Sequence, residues 1–299
     1  MRKGVKIWLI IAGALVVFGI VLLAVAMSFY NWDFSKLSTG KFETHTYDIN
    51  EKFTDIDIKT ETADICFVSS DNGNCKVIFE TYEKEKYSAD VKNGVLNIKT
   101  ADERKWYDHI GIFFRSPKVT VYLPEKEYDS LLINESTGDI KIPKDFKFTN
   151  ADISLSTGDI SFFASASETV KFKTTTGNVK AEKFSADTLD ISVTTGEIYL
   201  SDIMCKNLTT NGSTGDVLLK KVIASEKMSI ERSTGNVRIE KSDAAEIFVK
   251  TATGDVSGNL ITDKVFITET STGSVKVPKT VLSGGKCEII TSTGDITFE

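Results

Sequence analysis

Ser156–Thr157–Gly158–Asp159–Ile160–Ser161–Phe162 and, one unit later, Thr175–Thr176–Gly177–Asn178–Val179–Lys180–Ala181 are two copies of one corner. The Thr-Gly pair recurs with its glycine at Gly138, Gly158, Gly177, Gly196, Gly215, Gly235, Gly254, Gly273 and Gly294, at intervals of 19 to 21 residues. A fixed period of this length marks a repeat architecture. The residue after each glycine is small or acidic, and Ile or Val follows two places after it every time. Apolar residues also stand seven and five places before the glycine, as in Leu131/Ile133, Met228/Ile230 and Ile247/Val249.

Both patterns alternate with period two, so each unit holds two short strands with one inward face. The Ser-Thr-Gly-Asp between them changes the chain direction. Glycine allows the positive φ of a type II turn, and Ser, Thr and Asp satisfy the backbone groups left over there. Three places before the glycine the residues are chemically mixed (Glu135, Leu155, Arg232), so the inward alternation is expected to end before the corner. Two strands per period make about one turn of a single-stranded parallel β-helix, an all-β solenoid of about 19–20 residues per coil. No coil buries its apolar face alone, and stacking supplies the missing contacts. At a spacing of ~4.8 Å, nine coils form a rod of roughly 40 Å.

Residues 131–299 hold the regular coils, and 31–130 are strand-like but irregular. Within that stretch Thr62–Ala63–Asp64–Ile65 is a degenerate copy of the corner. Residues 31–130 are therefore expected to cap the start of the solenoid and cover its edge. The last unit, Ile296–Thr297–Phe298–Glu299, is expected to form the open end, which either a neighbouring loop covers or a partner does, with Phe298 as the contact in the second case.

Residues 1–30 are of another kind. Arg2, Lys3 and Lys6 precede an uncharged run from Ile7 to Phe29, and about 20 apolar residues suffice to span a bilayer. Residues 7–29 therefore read as a single-pass membrane anchor. The basic flank places the N-terminus in the cytoplasm and the rest of the chain outside. Ala24–Val25–Ala26 has the small-x-small form of a cleavage site, so a removed signal peptide is the rival reading.

The formal net charge of −6 and the pI near 5.2 give no basic face for nucleic acid. Acidic residues after the glycines come one per coil and are interrupted by Asn178, Asn236 and Ser274. Ca²⁺ needs six to eight converging oxygens, so these side chains read as turn formers in solvent. His45 and His109 lack metal-ligand spacing, and no cofactor is implied. Asp139/Asp159, or Asp295 with Glu269, could stand at glycosidase distance by stacking alone, which leaves a carbohydrate-active enzyme as the weakest alternative. Cys66 and Cys75 flank a turn, and direct cross-strand pairing there would allow a disulfide. Cys205 and Cys287 lie about four coils apart and cannot bridge. Trp106, Tyr107 and His109 form the most aromatic stretch outside the repeat, suited either to sugar stacking or to burial in the cap.

Val119–Thr-Val-Tyr-Leu-Pro124, Tyr128–Asp-Ser-Leu131 and the Thr-Gly-Asp-Ile series resemble the bacterial “putative adhesin” family of unknown function, with β-strand repeats, which includes LiaG-like membrane-anchored envelope proteins. The resemblance covers roughly residues 45 to 299. It implies a right-handed β-helix in the cell envelope, linked with adhesion or envelope-stress operons, and supplies no catalytic residues. The sequence thus describes a non-catalytic binding or scaffold module that contacts an envelope polymer or another membrane protein. An accessory regulatory subunit of envelope-stress sensing is the alternative.

Overall fold

The computed structural model describes residues 3–33, 41–70, 73–83, 85–101, 115–279 and 284–299. Helix α1 (Lys3–Phe29) is long and apolar enough to cross a membrane, and its length and composition fit either an anchor or a signal sequence.

The repeats build a parallel β-solenoid. A long strand such as Lys147–Thr157 runs into the glycine, and a short one such as Ile160–Phe162 leaves it. Equivalent residues stack in register: Ile153 lies beside Ile133 and Phe172, and Ile160 beside Ile140 and Val179. Outside the coil of Gly273 the predicted apolar positions are buried, and they join one continuous core that runs from Ile49 to Phe298.

The corner differs from a type II turn. Its glycines have φ between +124° and +153°, beyond the usual turn value and in a region that only glycine populates. Stacking adds a second reason for glycine. A Cβ on Gly177 would stand 2.0 Å from the carbonyl oxygen of Gly158, and the other corners repeat this approach. A second corner lies six residues after the glycine, where Lys183, Asp202, Lys221 and Lys241 adopt left-handed φ of 46–61°.

The expectation that inward alternation stops before the corner is overturned. Glu135, Leu155, Thr174, Val193, Arg232, Thr251 and Thr291 are all buried in one inward column. The polarity of the column has a local cause. Thr174, Thr251 and Thr291 donate their hydroxyls to the carbonyls of Gly158, Gly235 and Gly254, at 3.3, 3.3 and 3.1 Å. The glycine corner leaves carbonyl oxygens facing inward, and a hydroxyl at this position satisfies them.

Stacking order departs from chain order at the C-terminal end. Gly254 N–H donates to Thr293 O, and Gly294 N–H to Thr272 O, each at 2.9 Å. The strand Gly285–Thr293 lies between Val237–Thr253 and Lys264–Thr272, paired to both. The coil of Gly294 is therefore inserted, and the coil of Gly273 is the outermost.

At the other end, β2 (Asp55–Thr62) and β3 (Asp64–Ser69) form a coil whose corner residue is Ala63. The strand Glu127–Thr137 stacks on one side of β2, and β6 (Val95–Ala101) on the other. Beyond β3 comes β7 (Lys118–Leu123), then β4 (Cys75–Tyr82) and β1 (Phe42–Ile49), both pairings antiparallel. The strand β5 (Lys86–Lys92) covers β6, again antiparallel. These reversals cap the first parallel coils with strands of opposite direction.

Candidate functional site

Trp106, Tyr107 and His109 lie outside the described residues. Phe298 is not available to a partner, because it is 2% exposed and its ring stands 5.7 Å from that of Phe266. Insertion of its coil between two others puts it in the core. Cys66 and Cys75 do not pair either. The strand β7 lies between β3 and β4, so the direct cross-strand contact required for a bridge does not form. All four cysteines are thiols.

The acidic residues after the glycines have a structural use. Asp159 N–H donates to Asp139 Oδ1 at 2.9 Å, Asn178 N–H to Asp159 Oδ1 at 2.6 Å, and Glu197 N–H to Asn178 Oδ1 at 2.8 Å. The ladder continues from Asn236 through Asp255 and Asp295 to Ser274. Each Asp or Asn accepts the amide of the coil stacked on it. Ser274 is the last member, and no described coil requires an acceptor from it. Among the described residues no group of three His, Cys, Asp or Glu side chains gathers as metal ligands would.

Inside the solenoid two ionisable side chains interrupt the threonine column. Glu135 Oε1 accepts Ala63 N–H at 3.2 Å, while Oε2 is buried without a partner. Burial pushes its carboxyl up to about 8, against the smaller opposing effect of the Thr137 and Ala63 amides. Arg232 is 4% exposed. Its Nη1 donates to Val193 O at 2.9 Å, through the gap left by the missing side chain of Gly212, while Nε and Nη2 have no partner. Burial lowers this guanidinium to about 10, so it stays charged.

On the surface, the second corner gathers cations. Lys220, Lys221, Arg238 and Lys241 line an open cleft of about 440 Å³, with Ser257, Gly258 and Asn259 along one side. Asn259 Oδ1 accepts the Lys241 amide at 2.6 Å, which fixes the backbone of that lysine. Arg238 pairs with Glu240 at 2.6 Å, and Lys221 with Asp202 at 3.4 Å. The Ser201 hydroxyl, aided by Lys221 and Lys183, holds the Asp202 carboxyl below its usual range. Glu240 and Glu299 line the same cleft, so its charge is mixed, and Lys220 and Lys241 are its cations with no carboxylate in ion-pair reach among the described residues. Sequence reading missed it because the lysines look evenly scattered. The available signal was Lys at the same offset from glycine in units 177, 215 and 235.

Residues 53–299 match the Toastrack DUF4097 family. No curated protein sequence is a match. Among solved structures, the chain is similar to a “putative lipid binding protein” from Parabacteroides distasonis, with 15% identity and a TM-score of 0.54 over 88% of this chain and 98% of that one. It is also similar to a “putative adhesin” from Bacteroides fragilis, with 13% identity and a TM-score of 0.44 over 87% and 97% of the two chains. At 15% identity the likeness to the first of these concerns fold alone.

Proposed function

The chain belongs to the Toastrack DUF4097 family, and from that premise we propose that it is a non-catalytic, adhesin-like binding rod of the bacterial cell envelope. Helix α1 anchors it, with the basic residues Arg2, Lys3 and Lys6 on the cytoplasmic side and the solenoid outside. The observation behind the choice of ligand is the pair Lys220 and Lys241 in that cleft, which have no carboxylate in ion-pair reach among the described residues. Cations clustered on a stiff scaffold lose little entropy on binding and select a polyanion by charge, so the ligand is an anionic envelope polymer.

The test is binding of the full chain, in detergent, to purified polyglycerol-phosphate teichoic polymer and to peptidoglycan. Saturable binding to the first, weakened by salt and lost in Lys220→Glu/Lys241→Glu, supports the reading. Polymer binding insensitive to those changes but lost in Trp106→Ala/Tyr107→Ala/His109→Ala would move the site to the cap. Capture of a membrane protein from envelope extract without polymer binding would replace the reading with the accessory-subunit one.

A further inference from the structure

The outermost coil combines two features that the rest of the solenoid lacks. The first is an unpaired backbone edge. Inner strands are paired on both sides, but Lys264–Thr272 pairs only with Gly285–Thr293, and Val275–Lys276 only with Ile296–Phe298. Among the described residues nothing takes up their outer N–H and C=O groups. The second is exposed apolar surface. Among the described residues beyond 33, the large hydrophobic side chains that stand exposed are Met204, Ile261, Ile267 and Val275, and three of these four belong to residues 261–275. Val275 is 45% exposed, although its stacked equivalents Ile296 and Val256 are fully buried. The core therefore ends here unfinished.

The edge is protected only in part, by Lys264 turned inward onto Asp243 and by the two-residue length of Val275–Lys276. A long apolar edge strand is normally blunted by proline, a bulge or a covering element. Residues 264–272 contain no proline, and their pairing is in unbroken register.

We propose that this edge is a self-association surface, where two copies of the chain pair tail to tail through Lys264–Thr272 about a two-fold axis. Three observations select a second copy in that geometry. An edge strand supplies what another edge strand lacks, so one contact satisfies both rows of backbone groups. Ser274 offers no acceptor like that of Asp139 or Asp255, so the ladder that ties one parallel coil to the next ends at it. Antiparallel pairing does not need that ladder. The opposite end also presents edge strands, β1 and β5, but β1 offers the polar Glu43, Thr44, His45 and Asp48 and no apolar partner for Val275, so head-to-tail growth is the poorer fit. The association therefore closes at two chains and covers the open core position Val275 of both. It goes beyond the polymer reading above and does not depend on it.

The test uses the full chain in detergent micelles, by sedimentation equilibrium and by hydrogen exchange at two protein concentrations. The expected result is a monomer–dimer equilibrium in the micromolar range, with amides of 265–271 protected more at the higher concentration. Ile267→Lys/Val275→Lys should raise the dissociation constant roughly tenfold or more, while Met204→Lys leaves it unchanged. A wild-type chain that stays monomeric overturns the proposal. So does a dimer that survives the double lysine change, since α1 would then hold it. Concentration-dependent protection in the unmutated chain remains decisive if the double variant fails to fold.

Discussion

Gly254 and Thr293 are hydrogen-bonded, amide to carbonyl, at 2.9 Å. In a solenoid stacked in chain order Gly254 would instead meet Thr272, the next unit. The chain passes over one slot, lays down the coil of Gly273, and returns to fill the slot with its last residues. The buried positions of the inserted coil, Cys287, Ile289 and Ile296, are fully enclosed as a result.

This order predicts a cross-linking pattern. Lys250 stacks on Ile290, and Ile290 on Glu269, so Lys250 and Glu269 are two coils apart. Neighbouring strands lie ~4.8 Å apart, within disulfide reach, and next-nearest ones lie about twice that. Lys250→Cys/Ile290→Cys should oxidise to an intramolecular disulfide under mild conditions, and Lys250→Cys/Glu269→Cys should not. The reverse pattern, read by gel shift and peptide mapping, would restore chain order.

A second prediction concerns Arg232. A buried charge with two unpartnered nitrogens costs more than a well-packed apolar chain of similar length. Arg232→Met should therefore stabilise the solenoid by about 1–3 kcal/mol, visible as a raised thermal midpoint. Gly212→Ala should do the opposite, because its Cβ would stand 1.8 Å from Arg232 Nη1 and 2.0 Å from Val193 O. A midpoint lowered by Arg232→Met would mean that the guanidinium is fully solvated or paired inside.

Much of this was legible in the sequence, and the limits have physical causes. Periodicity identifies which residues are equivalent, such as Ile140, Ile160 and Val179, and hence the coil and its inward face. It does not record the order in which equivalent coils stack, since every coil fits every other. Two residues did mark the true end. Ser274 replaces Asp where no further amide needs an acceptor, and Thr268 occupies an inward position held by Ile289 and Val249 in the coils beneath. The inward column at Glu135 and Arg232 was illegible for another reason. Its threonines serve carbonyls that turn inward only because the glycine corner has φ near +145°, which a type II turn would not produce. The cysteine pairing failed because β7, distant in sequence, enters between two strands joined by a short turn.

Thiol reactivity gives a third prediction. Burial pushes Cys75 and Cys287 up to about 12 and Cys205 up to about 11, so none forms thiolate at neutral pH. Cys66 is half-buried on the outward side of its strand. The folded chain should take up one maleimide, at Cys66, and four after denaturation, counted by intact mass. Rapid labelling of Cys287 in the folded chain would show that the inserted coil opens.

The last prediction is a pH dependence set by Glu135. The folded carboxyl keeps its proton to about pH 8, whereas the ordinary value is 4.5. Between those values the folded chain binds more protons than the unfolded one, so stability falls as pH rises through that window and levels off above it. The cause is burial of Oε2 beside Thr60, with Asp64 adding repulsion. Glu135→Gln keeps the group neutral at every pH. The difference in thermal midpoint, variant minus wild type, should be small near pH 5 and should grow in favour of the variant up to about pH 8. A difference that stays flat from pH 5 to 9 would mean that Glu135 ionises normally and that the first coils admit water to it.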